Sequence, residues 1–119
     1  MEKRTLTITI NSDWQGALRM AARRAFSSEV YQGETLNFET PAAFFGQLTE
    51  RRWAILHTLN RMGEIPARDL ARWMGRDLKQ IQEDAAILVS LGLIERMPEG
   101  TLRCPFEDIH VDMHLRRAA

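Results

Sequence analysis

Residues 65–100, IPARDLARWMGRDLKQIQEDAAILVSLGLIERMPEG, decide the fold. Pro66 suits the first position of a helix, where its missing N–H is no loss, and Leu70, Trp73 and Met74 follow at the 3/4 spacing of one apolar face. Gly75 supplies the left-handed residue that ends this short helix, and Arg76 fills the turn. Asp77 then stands where it can cap the next helix by accepting from its first free N–H groups. From Leu78 the periodicity puts Leu78, Ile81, Ala85 and Leu88 on one side, with Lys79, Gln82, Glu83 and Ser90 pointing away and Gln80 on the flank. Gly92 closes this helix, and Leu93-Ile94-Glu95-Arg96 turns back through Pro98-Glu99-Gly100 into Thr101-Leu102-Arg103-Cys104, a hairpin. Two helices joined so tightly must cross, so the second projects its polar face outward. A helix-turn-helix followed at once by a hairpin is an arrangement that reads DNA, the second helix in the major groove and the hairpin, or wing, beside the phosphates. The competing expectation is a compact helical core that serves as a protein adaptor with no nucleic-acid partner.

The 119 residues suit one domain, or one domain with an appended arm. There is no 18-residue apolar run and no signal-peptide core, so the expected location is the cytoplasm, with no membrane partner. The single cysteine, Cys104, excludes an internal disulfide framework and agrees with a reducing compartment. A net charge of zero argues against indiscriminate polyanion binding, which makes the distribution of charge the informative quantity. From Arg51 to Lys79 there are seven basic residues, Arg51, Arg52, Arg61, Arg68, Arg72, Arg76 and Lys79, against three acidic ones, Glu64, Asp69 and Asp77. The excess sits where DNA would lie, although Arg61 alone reads as part of a solvated face. Downstream, Glu83, Asp84, Glu95 and Glu99 outnumber Arg96 and Arg103, so the wing is not strongly basic.

Outside this region, Thr5 to Ile10 alternates polar and apolar residues and is rich in β-branched side chains, a half-buried strand. Ser12 suits the N-cap of a helix reaching about Phe26, with Trp14, Leu18, Ala21, Ala22 and Ala25 as its apolar stripe. Strand then helix resembles the start of ribbon-helix-helix repressors, but the threonine face lacks the side chains that best read base edges, and packing or dimerisation is the expected role. Thr35 to Glu39 predicts a second short strand that pairs with the first, after a loop containing Gly33. Thr40-Pro41 opens a short helix carrying Phe44, Phe45 and Leu48. Thr49 starts another, with Trp53, Ile55, Leu56 and Leu59 on its buried side and Gly63 closing it, the first helix of a trihelical core. Ile65 offers a small strand to the wing sheet. In residues 105–115, Ile109, Val111, Met113 and Leu115 share one face of a strand and His110, Asp112 and His114 the other. Such a strand needs a partner, either the N-terminal strand of its own chain or that of a second subunit.

Catalytic signals are sparse. His110, Asp112 and His114, with Cys104 upstream, have the atom types of a zinc or nickel site, but the polar alternation of an exposed strand explains them equally, so neither metal nor cofactor is expected. No Gly-rich phosphate loop, nucleophile elbow or HExxH is present, and the adjacent Glu83 and Asp84 point to different helix faces. The chain is not expected to be an enzyme.

Thr49-Glu50-Arg51-Arg52, Arg68-Asp69-Leu70-Ala71-Arg72, Gly75-Arg76-Asp77, Glu83-Asp84, Leu91-Gly92-Leu93-Ile94-Glu95 and the closing Pro105-Phe106-Glu107-Asp108-Ile109-His110-Val111-Asp112 mark a further likeness. Over Phe38 to Leu115 the chain resembles a small prokaryotic winged-helix group of predicted transcriptional regulators and DNA-binding proteins, some of them antitoxins encoded beside a small toxin. Members of that group carry Asn and basic residues along the second helix, where this chain has Gln80, Gln82 and Glu83. The resemblance implies a repressor of its own operon and a cognate toxin as a partner.

The expected architecture is therefore α+β, a winged helix-turn-helix with a trihelical core and β-hairpin wing over residues 41–104. A strand-helix-strand extension in residues 1–40 dimerises or binds a partner, and residues 105–119 form a closing strand and tail. A homodimer on double-stranded DNA is expected, with Lys79, Gln80 and Gln82 at the bases, glutamine best suited to adenine, with Arg51, Arg52, Arg68, Arg72 and Arg76 at the phosphates, and with Glu83 and Arg96 also among the DNA-binding residues. Its alternative is an interaction module that neutralises a toxin or other partner without a DNA role.

Overall fold

The computed structural model describes residues 3–12 and 33–115. In chain order these contain β1 (Thr5–Ile10), β2 (Glu34–Phe38), α1 (Pro41–Gln47), α2 (Glu50–Met62), β3 (Ile65–Pro66), α3 (Ala67–Met74), α4 (Leu78–Ser90), β4 (Glu95–Arg96), β5 (Thr101–Arg103) and β6 (Asp108–Asp112). The fold is α+β. Contacts divide the chain into an outer unit, residues up to 46 with those from 108 onward, and an inner unit, residues 47–107. Pro105, Phe106 and Glu107 thus pack with the helices, and the strand β6 belongs with the N-terminal strands. Among the described residues no helix is long and apolar enough to cross a membrane. The helix expected from Ser12 to Phe26 falls outside the described residues but for its first residue.

The outer unit is a parallel sheet of order β2-β1-β6. Ile8 stands between Leu36 and Val111, and Leu6 beside Ile109, so the apolar alternation of three strands falls on one face. Leu6, Ile8 and Phe38 are buried there. On the other face Thr9 Oγ1 donates to Asn37 Oδ1 at 2.7 Å. Of the two partners open to the closing strand, it takes β1 of its own chain. It also stops at Asp112: this residue lies opposite Thr9, β1 ends at the next position, and Met113 and Leu115 are left outside the sheet and exposed, a correction to the longer strand expected. Thr40 Oγ1 accepts from the Ala43 N–H at 3.1 Å to cap α1, whose Phe44 packs edge-on against Phe38 while Phe45 faces solvent.

The inner unit places α2, α3 and α4 around a core of Ile55, Leu56, Leu59, Leu70, Ile81, Leu88, Leu93 and Ile94, closed by Leu102 of an antiparallel sheet of order β3-β5-β4. Each of these side chains contributes about 1.5–3 kcal/mol by leaving water. Ile65 and Pro66 pair with Leu102 and Thr101, so Pro66 occupies an edge strand and the position before the first helical residue, and its missing N–H costs the ladder nothing. Thr49 Oγ1 accepts from the Arg52 N–H to cap α2. Asp77 has the extended backbone of an N-cap, but its side chain makes no capping hydrogen bond, contrary to expectation. Two expected core aromatics are also corrected: Trp73 is 70% exposed and Trp53 38%. The apolar stripe of α3 runs through Ala67, Leu70 and Ala71, which turns Trp73 onto the helix flank, and Ile55, Leu56 and Leu59 do the same to Trp53 on α2. Phe106, unassigned from the sequence, is buried, and Asn60 Nδ2 anchors the segment around it by donating to the carbonyls of Phe106 and Glu107 at 2.8 and 3.1 Å.

Glycine ends both helices of the tight pair. At α3 the Arg76 N–H reaches Ala71 O and the Gly75 N–H reaches Arg72 O; at α4 the Leu93 N–H reaches Leu88 O and the Gly92 N–H reaches Val89 O. This double closure needs a left-handed residue, met by Gly75 at φ 65° and Gly92 at φ 79°. A Cβ at Gly92 would meet no atom within 4 Å, so the cost of Gly92→Ala comes from the backbone alone. Chemical denaturation should register a loss of about 1 kcal/mol with unchanged helix content; an unchanged midpoint would show that this cap does not hold the α4 terminus.

Candidate nucleic-acid interface

α4 buries Ile81, Ala85 and Leu88 and exposes Lys79, Gln80, Gln82, Glu83, Ala86 and Ser90. Its polar face is bordered on two sides. Toward α2, Arg51 Nη2 donates to Gln80 Oε1 at 2.9 Å. Toward the hairpin, a groove of about 370 Å³ is lined by Pro66, Ala67, Arg68, Asp69, Leu78, Gln82 and Gly100. The hairpin is shaped by a turn in which the Gly100 N–H reaches Met97 O, and by an ion pair between Arg103 and Glu95 across the strands at 2.9 Å. Arg96, next to Glu95, is exposed. Arg51, Arg68, Arg72 and Lys79 are exposed as well, so five of the expected cations are open to an anionic partner.

Arg52 and Arg76 are not. Arg52 Nε donates to Asp84 Oδ1 at 3.0 Å and its Nη1 to Gln47 O, while Arg76 Nη2 donates to Asp84 Oδ2. The three side chains are only 18%, 15% and 14% exposed for Arg52, Arg76 and Asp84. Their expected phosphate contacts are corrected to an internal role: both guanidinium groups turn inward onto one carboxylate. Asp84 requires this. It lies three residues past Ile81 and four before Leu88, on the spacing of the buried stripe itself, where an uncompensated carboxylate is costly. Burial pushes its pKa up, but the hydrogen bonds from Arg76 and Arg52, reinforced by their charges, outweigh that and hold the carboxyl below its ordinary value. The signal is legible in the sequence, since a carboxylate at a core-spaced position calls for a buried cation.

A second groove, of about 240 Å³, lies on α2 and α3, lined by His57, Thr58, Arg61, Met62 and Trp73. Met62 is 43% exposed, which with Trp73 makes this an open apolar surface. Among the described residues no group of three or more His, Cys, Asp or Glu side chains is placed so that it could hold a metal ion. His114 Nε2 pairs with Asp112 Oδ1 at 2.7 Å, and the Cys104 thiol, whose pKa burial pushes up, faces the Phe106 carbonyl.

The HVO_A0114 family model matches residues 47–111, which take in the whole inner unit and most of β6. No curated protein matches the chain.

The Asp84 clamp has a defined acid response. Because the folded carboxyl binds its proton less readily than the unfolded one, its contribution is complete above the ordinary carboxylate range and is lost as pH falls through the lowered folded value. Asp84→Asn should cost about 2 kcal/mol at neutral pH, less than a fully buried pair because some solvent reaches the cluster. The difference from the parent should shrink below about pH 4. Urea denaturation of both proteins at neutral and acid pH reads it; a difference independent of pH would remove the charge from the explanation.

Proposed function

We propose that this protein, which belongs to the HVO_A0114 family, is a winged helix-turn-helix regulator that binds double-stranded DNA in a sequence-dependent manner and represses transcription. The observation that carries this reading is the exposed polar face of α4, bordered by Arg51 on the α2 side and by Arg68 and the hairpin turn on the other. α3 and α4 are the helix-turn-helix, α4 its recognition helix, and the β4–β5 hairpin the wing. Lys79, Gln80, Gln82 and Glu83 meet base edges, glutamate matching the cytosine amino group. Arg51, Arg68, Arg72 and Arg96 hold phosphates, and Arg52 and Arg76 act through Asp84 to set the angle at which α4 is presented. Neither catalysis nor a cofactor has a part in this mechanism.

The acting species is a homodimer in the cytoplasm. The parallel sheet supports a role in assembly, since β2 and β6 are its edge strands and an edge strand is a template for pairing. Two recognition helices roughly 34 Å apart would enter successive major grooves of a palindromic operator and block polymerase sterically. The cognate toxin, and repression of a shared operon, rest on the resemblance to the winged-helix antitoxin group. A second reading, protein binding without DNA, is favoured by one observation, the open groove beside Trp73 and Met62.

Fluorescence anisotropy with the upstream DNA and a scrambled duplex separates the two readings. Preference for the upstream sequence should accompany affinity that falls steeply with salt, and Arg68→Ala and Arg72→Ala should each lower the salt slope by about 1. Equal, weak affinity for both duplexes would leave only the protein-binding role. Light scattering of the full chain at micromolar concentration should give the mass of two chains; a monomer would remove the dimeric mechanism.

A further inference from the structure

Consecutive residues of α2 meet α4 on successive turns. Arg52 is held by Asp84, and Arg51 donates to Gln80, one helical turn nearer the α4 N-terminus, at 2.9 Å. The half-buried clamp sets the spacing of the two helices at this level, so the exposed pair is brought within reach by the fold rather than by chance encounter of two long side chains. The orientation of the Gln80 amide then follows from chemistry. A guanidinium carries donors alone, so the atom it meets is the amide oxygen. Nε2 has no hydrogen-bond partner among the described residues.

An unrestrained glutamine suits adenine, giving its nitrogen to N7 and accepting from the N6 amino group, and this needs both ends of the amide turned to the base. With the oxygen engaged by Arg51, the end left for DNA is a donor. Guanine presents two adjacent major-groove acceptors, N7 and O6, where thymine offers O4 alone and the adenine edge sets an amino donor against the amide hydrogens. Gln80 is the third residue of α4, in the part of a recognition helix that reaches base edges.

We infer that Arg51 orients Gln80 so that the amide nitrogen meets the DNA, which makes Gln80 a reader of guanine and Arg51 the positioning residue for that choice. The inference rests on the DNA-binding reading and deepens it. Arg51 keeps further N–H groups for a phosphate, so its two roles are compatible.

Selection of binding sites from a random duplex pool tests this on the full chain, with Gln80→Ala, Arg51→Met and, as the phosphate control, Arg72→Ala. The base pair whose preference disappears in Gln80→Ala should be guanine-containing in the parent, favoured about tenfold over adenine at that position. Arg51→Met should retain a preference there but move it toward adenine, and Arg72→Ala should leave the preference unchanged while weakening all sites. Adenine in the parent, or guanine undiminished in Arg51→Met, overturns the inference while the regulator reading stands. A parent with no sequence preference removes both. In the free protein, the side-chain amide resonances of Gln80 should shift in Arg51→Met with core resonances unchanged; unmoved Gln80 resonances would overturn the positioning role without reference to DNA.

Discussion

A carboxylate at a core-spaced position of α4 is the constraint on which the inner unit turns. Asp84 cannot be packed against Ile81, Ala85 and Leu88 as a bare charge, so one arginine comes from the first turn of α2 and one from the loop between α3 and α4. Those donors fix three things at once: the distance between α2 and α4, the path of the turn after Gly75, and the rotation of α4 about its own axis. The last decides which residues face outward. A helix rotated by one residue would bring Ile81 toward solvent and Gln82 inward, so the clamp and the apolar stripe enforce the same answer.

Charge on this chain is therefore divided by burial rather than by sequence position. Arg51 and Arg52 are neighbours, yet one is exposed and bonded to a neutral amide, the other enclosed with a carboxylate. Other acids are paired singly: Glu95 with Arg103 across the hairpin, Glu34 with Arg4 and Asp108 with Lys3 at the parallel sheet. The hairpin contributes shape more than charge, its ion pair and turn setting the strand crossing, with Leu102 as its hold on the core.

The two units are built from different parts of the chain. Both ends of the described chain meet in one parallel sheet, whose strands β1 and β6 are joined through the whole inner unit. Parallel pairing demands a long connection, and here the connection is itself a packed body with its own core. The match to the HVO_A0114 family covers the whole inner unit and most of β6.

The order and type of the described elements were determined by the sequence alone, because they depend on local chemistry. Gly75 and Gly92 meet a left-handed requirement that few other residues tolerate, Thr40 and Thr49 cap the helices that follow them, and the alternation in Thr5 to Ile10 permits one buried face. The same local rules placed Lys79, Gln82 and Glu83 on the open side of α4 and Gln80 on its flank. What tertiary structure decided was partnership across distance. Whether an arginine faces solvent or a carboxylate, whether Trp53 and Trp73 are covered, and which strand Asp108–Asp112 pairs with all depend on residues remote in the chain, and helical period alone does not say what lies opposite a flank. Arg52 and Arg76 left the expected interface for that reason, and Gln80 acquired an orientation that its own position on the helix does not contain.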